Sequence, residues 1–192
     1  MIAPSSASPH LVPRFLPRNN DAAGSSDDLA NRLTTRIQRL LRRSLHIRHL
    51  DAGSCNGCDW EIQALLGPVY DIQRLGIDIV ASPRHADLLL VTGSVTRHLE
   101  QAARLTYEAM PDPRLVVAVG ACACGGGILQ GSYCTAGGVP NVLPVDVFIP
   151  GCPPRPQALI HGLLVALDRL DPRLETGNFD APAAEIDPTP GA

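Results

Sequence analysis

Leu115-Val116-Val117-Ala118-Val119-Gly120 runs straight into Ala121-Cys122-Ala123-Cys124-Gly125-Gly126-Gly127. An unbroken apolar run that stops at glycine predicts a strand covered on both faces, followed by a tight loop. The same pattern recurs on either side. Upstream, Asp87–Thr92 reads as a strand ending at Gly93, and Ile77–Ala81 as another. His46–Asp51 is a shorter candidate, followed by Gly53-Ser54-Cys55. Downstream, Val145–Ile149 is ended by Pro150-Gly151. Helical patterns separate the strands: Asp59–Leu66, then Thr96–Met110 stopped by Pro111. A last helix opens at Pro156 and buries Leu159, Ile160, Leu163, Leu164, Leu167 and Leu170. Apolar strands alternating with amphipathic helices imply an α/β fold with a parallel sheet covered on both faces.

The ends of the 192-residue chain differ from this middle. Residues 1–26 and 172–192 are rich in Pro and small or polar residues without periodicity, and are expected to be tails. One domain is expected over 27–171. It opens with a helix through about residue 45, whose apolar stripe is Leu29, Leu33, Ile37, Leu40, Leu41 and Leu45. Arg32, Arg36, Arg39, Arg42 and Arg43 share that segment. The helix is either a solvated outer face or one that lies on a partner subunit or an anionic membrane surface.

Composition excludes several classes. The chain is 45% hydrophobic and 18% charged, enough for a core. All sixteen basic residues are Arg, so lysine catalysis and a P-loop lysine are ruled out. A formal charge of −3 and 4% aromatics argue against nucleic acid as a partner. No stretch approaches the roughly 20 apolar residues of a membrane span, and no secretory signal is expected. The six cysteines therefore read as metal or redox residues in a cytoplasmic setting rather than as disulfides.

Their placement is informative. Cys55 and Cys58, Cys122 and Cys124, and Cys152 each follow a predicted strand. In a parallel sheet the loops after the strands gather on one edge, where ligands bind. Gly120, Gly126 and Gly127 allow close backbone approach there, and N–H groups in such loops suit an anionic cluster. Spacing alone leaves three readings open. An iron–sulfur cluster ranks first, a zinc site second, and thiol chemistry or buried structural cysteines third.

Four blocks in order carry a resemblance. They are Ser54-Cys55-Asn56-Gly57-Cys58-Asp59-Trp60-Glu61, Ser82-Pro83-Arg84-His85-Ala86-Asp87, Gly120–Gly127, and Pro144 to Pro156 with Pro150-Gly151-Cys152-Pro153-Pro154-Arg155 at its centre. Over about residues 45 to 168 the chain resembles the superfamily that comprises the NuoB/PSST subunit of respiratory complex I (NADH:ubiquinone oxidoreductase) and the small subunits of [NiFe] hydrogenases. The resemblance implies a flavodoxin-like, doubly wound, mostly parallel sheet. It implies one [4Fe–4S] cluster held by Cys55, Cys58, Cys122 and Cys152, with Cys124 as the alternative to Cys122. It further implies electron relay between a large catalytic subunit, like that of [NiFe] hydrogenases or its counterpart in complex I, and a ferredoxin-like subunit. Complex I subunits of this type carry adjacent cysteines in the first block, whereas two residues stand between Cys55 and Cys58. The chain is thus most similar to small subunits of group 4 membrane-bound hydrogenases, of the formate hydrogenlyase and hydrogenase-4 type. Membrane-arm partners and a peripheral place on the cytoplasmic face of the inner membrane follow from that likeness.

Other residues carry weaker readings. Glu61, one turn after Cys58, is a candidate proton carrier, with an ordinary helix carboxylate as the alternative. Arg84 is expected in the cluster's surroundings, or else in a salt bridge with Asp87. Cys134 is expected to pack as a small buried apolar residue. His46, His49, His85, His98 and His161 lack metal-ligand spacing and are expected to hydrogen-bond or lie at the surface. Two competing assignments remain: a complex I-like quinone or ferredoxin oxidoreductase subunit, and a zinc-stabilised interaction module.

Overall fold

A computed structural model describes residues 26–176, so residues 1–25 and 177–192 of the expected tails lie outside the described residues. In chain order the elements are α1 (Ser26–Leu41), β1 (Leu45–Asp51), α2 (Gly57–Leu66), β2 (Ile77–Ile79), β3 (Leu88–Thr92), α3 (Arg97–Glu108), β4 (Leu115–Val119), α4 (Gly120–Gly125), β5 (Val147–Ile149) and α5 (Pro156–Thr176). The five strands form one sheet in the order β2-β1-β3-β4-β5, and every pairing is parallel. The α/β, doubly wound expectation holds.

Alternation along the two central strands explains why both faces must be covered. Leu88 and Leu90 on β3, and Leu115, Val117 and Val119 on β4, pack on one face with Leu33 and Ile37 of α1, Ile62 and Leu65 of α2, and Leu163 and Leu167 of α5. Leu89, Val91, Val116 and Ala118 point the other way, onto Ala103 of α3 and the segment Val139–Leu143. All ten residues of β3 and β4 are buried. At about 1.5–3 kcal/mol for each large apolar side chain, neither face can stay wet.

Register sets up the site. Asp51 pairs with Thr92, Thr92 with Val119, and Val119 with Ile149. Four strands therefore end level, and the chain leaving three of them carries cysteine.

The first helix ends earlier than its periodicity suggests. Arg42 adopts a left-handed conformation (φ 54°), which breaks the helix before Leu45. Leu45 instead starts β1, pairing with Ile77 and donating its N–H to the Gly76 carbonyl at 2.8 Å. At the other end α5 runs to Thr176, past the expected boundary at 171. The arginines of the first segment are not one uniform face. Arg36 bridges to Asp168 (2.8 Å) and Asp171 (3.0 Å) on α5. Arg43 grips Asp87 with two bonds of 2.9 and 2.6 Å, and Asp87 also accepts the His46 N–H at 3.1 Å. Asp87 is 8% exposed. Asp87→Ala leaves the His46 N–H and the guanidinium without their acceptor. It is expected to cost about 2–3 kcal/mol in urea unfolding, against less than about 1 kcal/mol for an exposed control such as Arg104→Ala.

Candidate metal centre

Each cysteine loop is shaped by its own sequence. After β1, Asp51 accepts the N–H groups of Gly53 (2.9 Å) and Ser54 (2.7 Å) through one carboxylate oxygen, and so turns the chain. Ser54 Oγ then accepts the Asn56 N–H at 3.0 Å. Asn56 takes a left-handed conformation (φ 66°) and α2 begins at Gly57, placing Cys58 in its first turn. After β4, α4 carries Cys122 and Cys124. After β5, Gly151 leads into Cys152, whose bond to Pro153 is cis. The Gly151 carbonyl accepts the Ala121 N–H at 2.7 Å, tying the second and third loops together.

The loops that carry Cys55, Cys58, Cys122 and Cys152 all leave this rim of the sheet. Cys58 and Cys122 are half-buried, whereas Cys55 and Cys152 are exposed. Burial pushes the Cys58 thiol up to about 11, and Asp59, Cys122, Cys55 and Cys152 each add to the rise. Cys122 is raised too, by burial first and then by Cys152 and Cys55. These mutual effects put Cys55, Cys122 and Cys152 within electrostatic reach of Cys58. Glycine makes the room. At Gly120 (φ 88°) a Cβ would lie 2.5 Å from Cys58 Sγ. At Gly127 (φ 55°) it would lie 2.8 Å from Cys122 Sγ. Gly126 is different: it packs on the backbone of Gly137, not on a sulfur.

Among the described residues, no three His, Cys, Asp or Glu side chains are close enough to clasp one metal ion. A single tetrahedral zinc would hold its thiolates about 3.8 Å apart, from bonds of about 2.3 Å. A four-iron cube spreads its terminal thiolates further.

Cys124 lies within electrostatic reach of Cys58 and Cys122 but is turned toward the core. Its Sγ reaches the Ala118 carbonyl at 3.7 Å, and the side chain packs with the core on the α3 face. Burial lifts it to about 12, with a partial offset from the Ile149 backbone. Cys134 corrects an expectation: it is exposed, with Ser132 Oγ 3.0 Å from its sulfur. These two differ in a way alkylation reads. At pH 8 a thiol with a pKa of about 12 holds almost no thiolate, and Cys124 is also packed into the core, whereas Cys134 is exposed. Iodoacetamide at pH 8 is expected to label Cys134 and spare Cys124, as read by peptide mass spectrometry.

Arg84 also corrects an expectation. It is exposed on the turn Pro83–His85, which leads into the start of β3, at the edge of the sheet opposite the cysteines. Nor does it pair with Asp87, whose partner is Arg43. Glu61 is where expected, half-buried on α2 one turn beyond Cys58.

Asp59 is the residue that sequence reasoning missed. One oxygen accepts the Thr92 hydroxyl at 2.8 Å and lies 2.9 Å from His49 Nε2, while the other accepts the Ser54 hydroxyl. A carboxylate beside Cys58 thus pins the first cysteine loop to the ends of β1 and β3. The signal was the adjacency to Cys58; Thr92, far along the chain on another strand, gives none.

The sequence matches the family described as NADH ubiquinone oxidoreductase, 20 Kd subunit, over residues 55–166. That span holds all four rim cysteines. The chain belongs to this family. Within it, the chain is 50% identical over 142 residues to a probable membrane-bound hydrogenase subunit of Pyrococcus furiosus, covering 72% of this chain and 85% of that one. It is 43% identical over 153 residues to formate hydrogenlyase subunit 7 of Escherichia coli, covering 78% of this chain and 60% of that longer one. Among solved structures, it is similar to a chain of an archaeal membrane-bound sulfane sulfur reductase complex, at 36% identity and a TM-score of 0.59, covering 78% and 79% of the two chains. The fold alone is shared with a chain of the [NiFeSe] hydrogenase of Desulfovibrio vulgaris Hildenborough, at 22% identity and a TM-score of 0.51, covering 72% of this chain and 65% of that one. Among the described residues, no helix is long and apolar enough to cross a membrane.

Proposed function

We propose that this member of the NADH ubiquinone oxidoreductase subunit family is the electron-relay subunit of a membrane-associated [NiFe]-hydrogenase or formate hydrogenlyase-type complex, holding one [4Fe–4S] cluster. The carrying observation is the grouping of Cys55, Cys58, Cys122 and Cys152 on one sheet edge, with Gly120 and Gly127 leaving space beside two of the sulfurs. Cys122 fits as the third ligand better than Cys124, because Cys122 Sγ lies beside Gly127 whereas Cys124 is turned to the Ala118 carbonyl and packed on the α3-side core.

The bound cluster would supply one-electron transfer. The protein's own part is to hold four thiolates, screen them and present them. Asp59, fixed by Ser54, Thr92 and His49, orients the loop that carries Cys55 and Cys58. Raised thiol pKa values mean that loading must release protons, so apparent affinity rises with pH. Glu61, one turn beyond Cys58, is placed to pass a proton near the same rim. Large apolar side chains stand exposed beside the cysteines: Trp60 at 71% and Ile128 at 94%. Such aromatic and aliphatic anchors suit burial against a large catalytic subunit. A ferredoxin-like subunit and membrane-arm subunits complete the proposed assembly, at the cytoplasmic face of the inner membrane.

Metal analysis of protein purified without oxygen tests this. The expected result is about four irons and four sulfides per chain with broad visible absorption. One tightly held zinc in colourless protein would leave the interaction-module reading instead. The chain is also 46% identical over 113 residues to an NADH-quinone oxidoreductase subunit of Citrifermentans bemidjiense, which supports a complex I-like partner as the second reading. The co-purifying large subunit decides between the two: paired Cys-x-x-Cys nickel-ligand motifs mark the hydrogenase.

A further inference from the structure

A second feature lies on the opposite edge of the sheet. Between the end of α1 and the turn Ile72–Leu75 is a cleft of about 280 Å3 lined by Gln38, Arg42, Arg43, Ser44, Gln73 and Arg74. Ser44 and Gly76 lead into the starts of β1 and β2, so this cleft opens at the strands' N-terminal edge, and the cysteines lie beyond their C-terminal ends. Seven residues of β1 separate the two, about 20 Å at roughly 3.3 Å per residue.

The cleft is rich in unspent positive charge. Arg43 is committed to Asp87. Arg42 and Arg74 are exposed, and neither has an ion-pair partner among the described residues. Two uncommitted guanidinium groups, flanked by the carboxamides of Gln38 and Gln73 and the Ser44 hydroxyl, form a donor-rich wall, which fits an oxyanion such as phosphate. Beside it runs a second groove, of about 180 Å3, that shares Arg74 and Leu75 with the first. Its other walls are Leu29, Ala30, Val69 and Ile160, together with Tyr70 and Gln157, whose polar ends bond each other at 2.9 Å. Val69 is 83% exposed. A basic cleft that opens into a groove partly walled by apolar side chains matches a ligand with an anionic head and a hydrocarbon tail.

We propose that this paired cleft binds an anionic phospholipid, with the phosphate between Arg42 and Arg74 and an acyl chain along Leu29, Val69 and Leu75. The proposal does not rest on the cluster, since the two sites share no residue. It gives the membrane association a definite surface and sets the cysteine rim away from the bilayer.

Co-sedimentation of the full chain with vesicles tests the assignment. Vesicles of phosphatidylcholine mixed equally with phosphatidylglycerol are expected to bind the chain, and pure phosphatidylcholine to bind it at least tenfold more weakly. Arg42→Gln and Arg74→Gln should each weaken binding about fivefold, and about 25-fold together. Val69→Asp should weaken vesicle binding and leave the melting temperature unchanged. Glycerophosphoglycerol, the deacylated headgroup, should compete poorly. Three outcomes overturn the proposal. The first is wild-type vesicle binding by the double arginine variant. The second is competition by inorganic phosphate as strong as by short-chain phosphatidylglycerol, which marks a free-phosphate site. The third is loss of the membrane-arm subunits from the double variant while its vesicle binding persists, which marks an acidic protein partner.

Discussion

Cys58→Ser is expected to empty the chain of iron, dropping it from about four atoms to less than about one per chain while its circular dichroism stays that of the parent. The geometry explains why this position should be the most sensitive. Cys58 is the half-buried member of the first pair, in the opening turn of α2, and it feels all three other thiols. A serine hydroxyl fills the same space, but it is far harder to deprotonate and a poorer ligand for iron. The fold has no reason to fail, since α2 is held by Ile62 and Leu65 in the core and by Asp59 at its start. Cys134→Ser and Cys124→Ser are the controls. The first residue lies exposed beside Ser132, and the second packs against the α3-side core. Both variants should keep their iron. Equal loss across all three would undo the ligand assignment.

The sheet was legible because its central strands are apolar without a break. Leu88–Thr92 and Leu115–Val119 have nowhere to sit but between two layers, and parallel pairing follows from the helices between them. The cysteine rim followed from topology, since loops after parallel strands share an edge whatever their separation in sequence. What was not legible depended on contacts between distant residues. Leu45 continues the helical stripe in sequence and is a strand residue only because Ile77 pairs with it. Arg84 sits in a motif beside Asp87, yet Arg43 reaches that carboxylate first, from 44 residues away. Cys134 has an apolar side chain's character but stands on an exposed turn that no periodicity describes. The fan of bonds around Asp59 could not be read at all, because two of its partners belong to other strands.

Gly120→Ala should be almost as damaging as loss of a ligand. The residue sits at φ 88°, where a side chain costs about 1–2 kcal/mol in the backbone alone. Its new methyl would begin 2.5 Å from Cys58 Sγ and 3.6 Å from the Gly151 carbonyl oxygen. Sulfur and carbon need well over that first distance, so either α2 or the Gly120 turn must move. The expected result is a melting temperature lower by about 5 °C together with at least a tenfold drop in cluster loading under limiting iron. Gly125→Ala separates the site effect from a general intolerance of alanine in this loop. No atom outside its own helix lies within 4 Å of a Cβ at 125, and the position carries no left-handed strain. That variant should load normally and melt at or slightly above the parent temperature. Normal loading by Gly120→Ala would remove the spatial argument for the site.

The bonds that converge on Asp59 bear on how the protein matures. Asp59 braces its turn through Ser54, Thr92 and His49, which are all groups of the polypeptide itself. A loop shaped by hydrogen bonds of the polypeptide, and not by a bound group, would let the proposed cluster be delivered after synthesis and be replaced after oxidative loss without refolding.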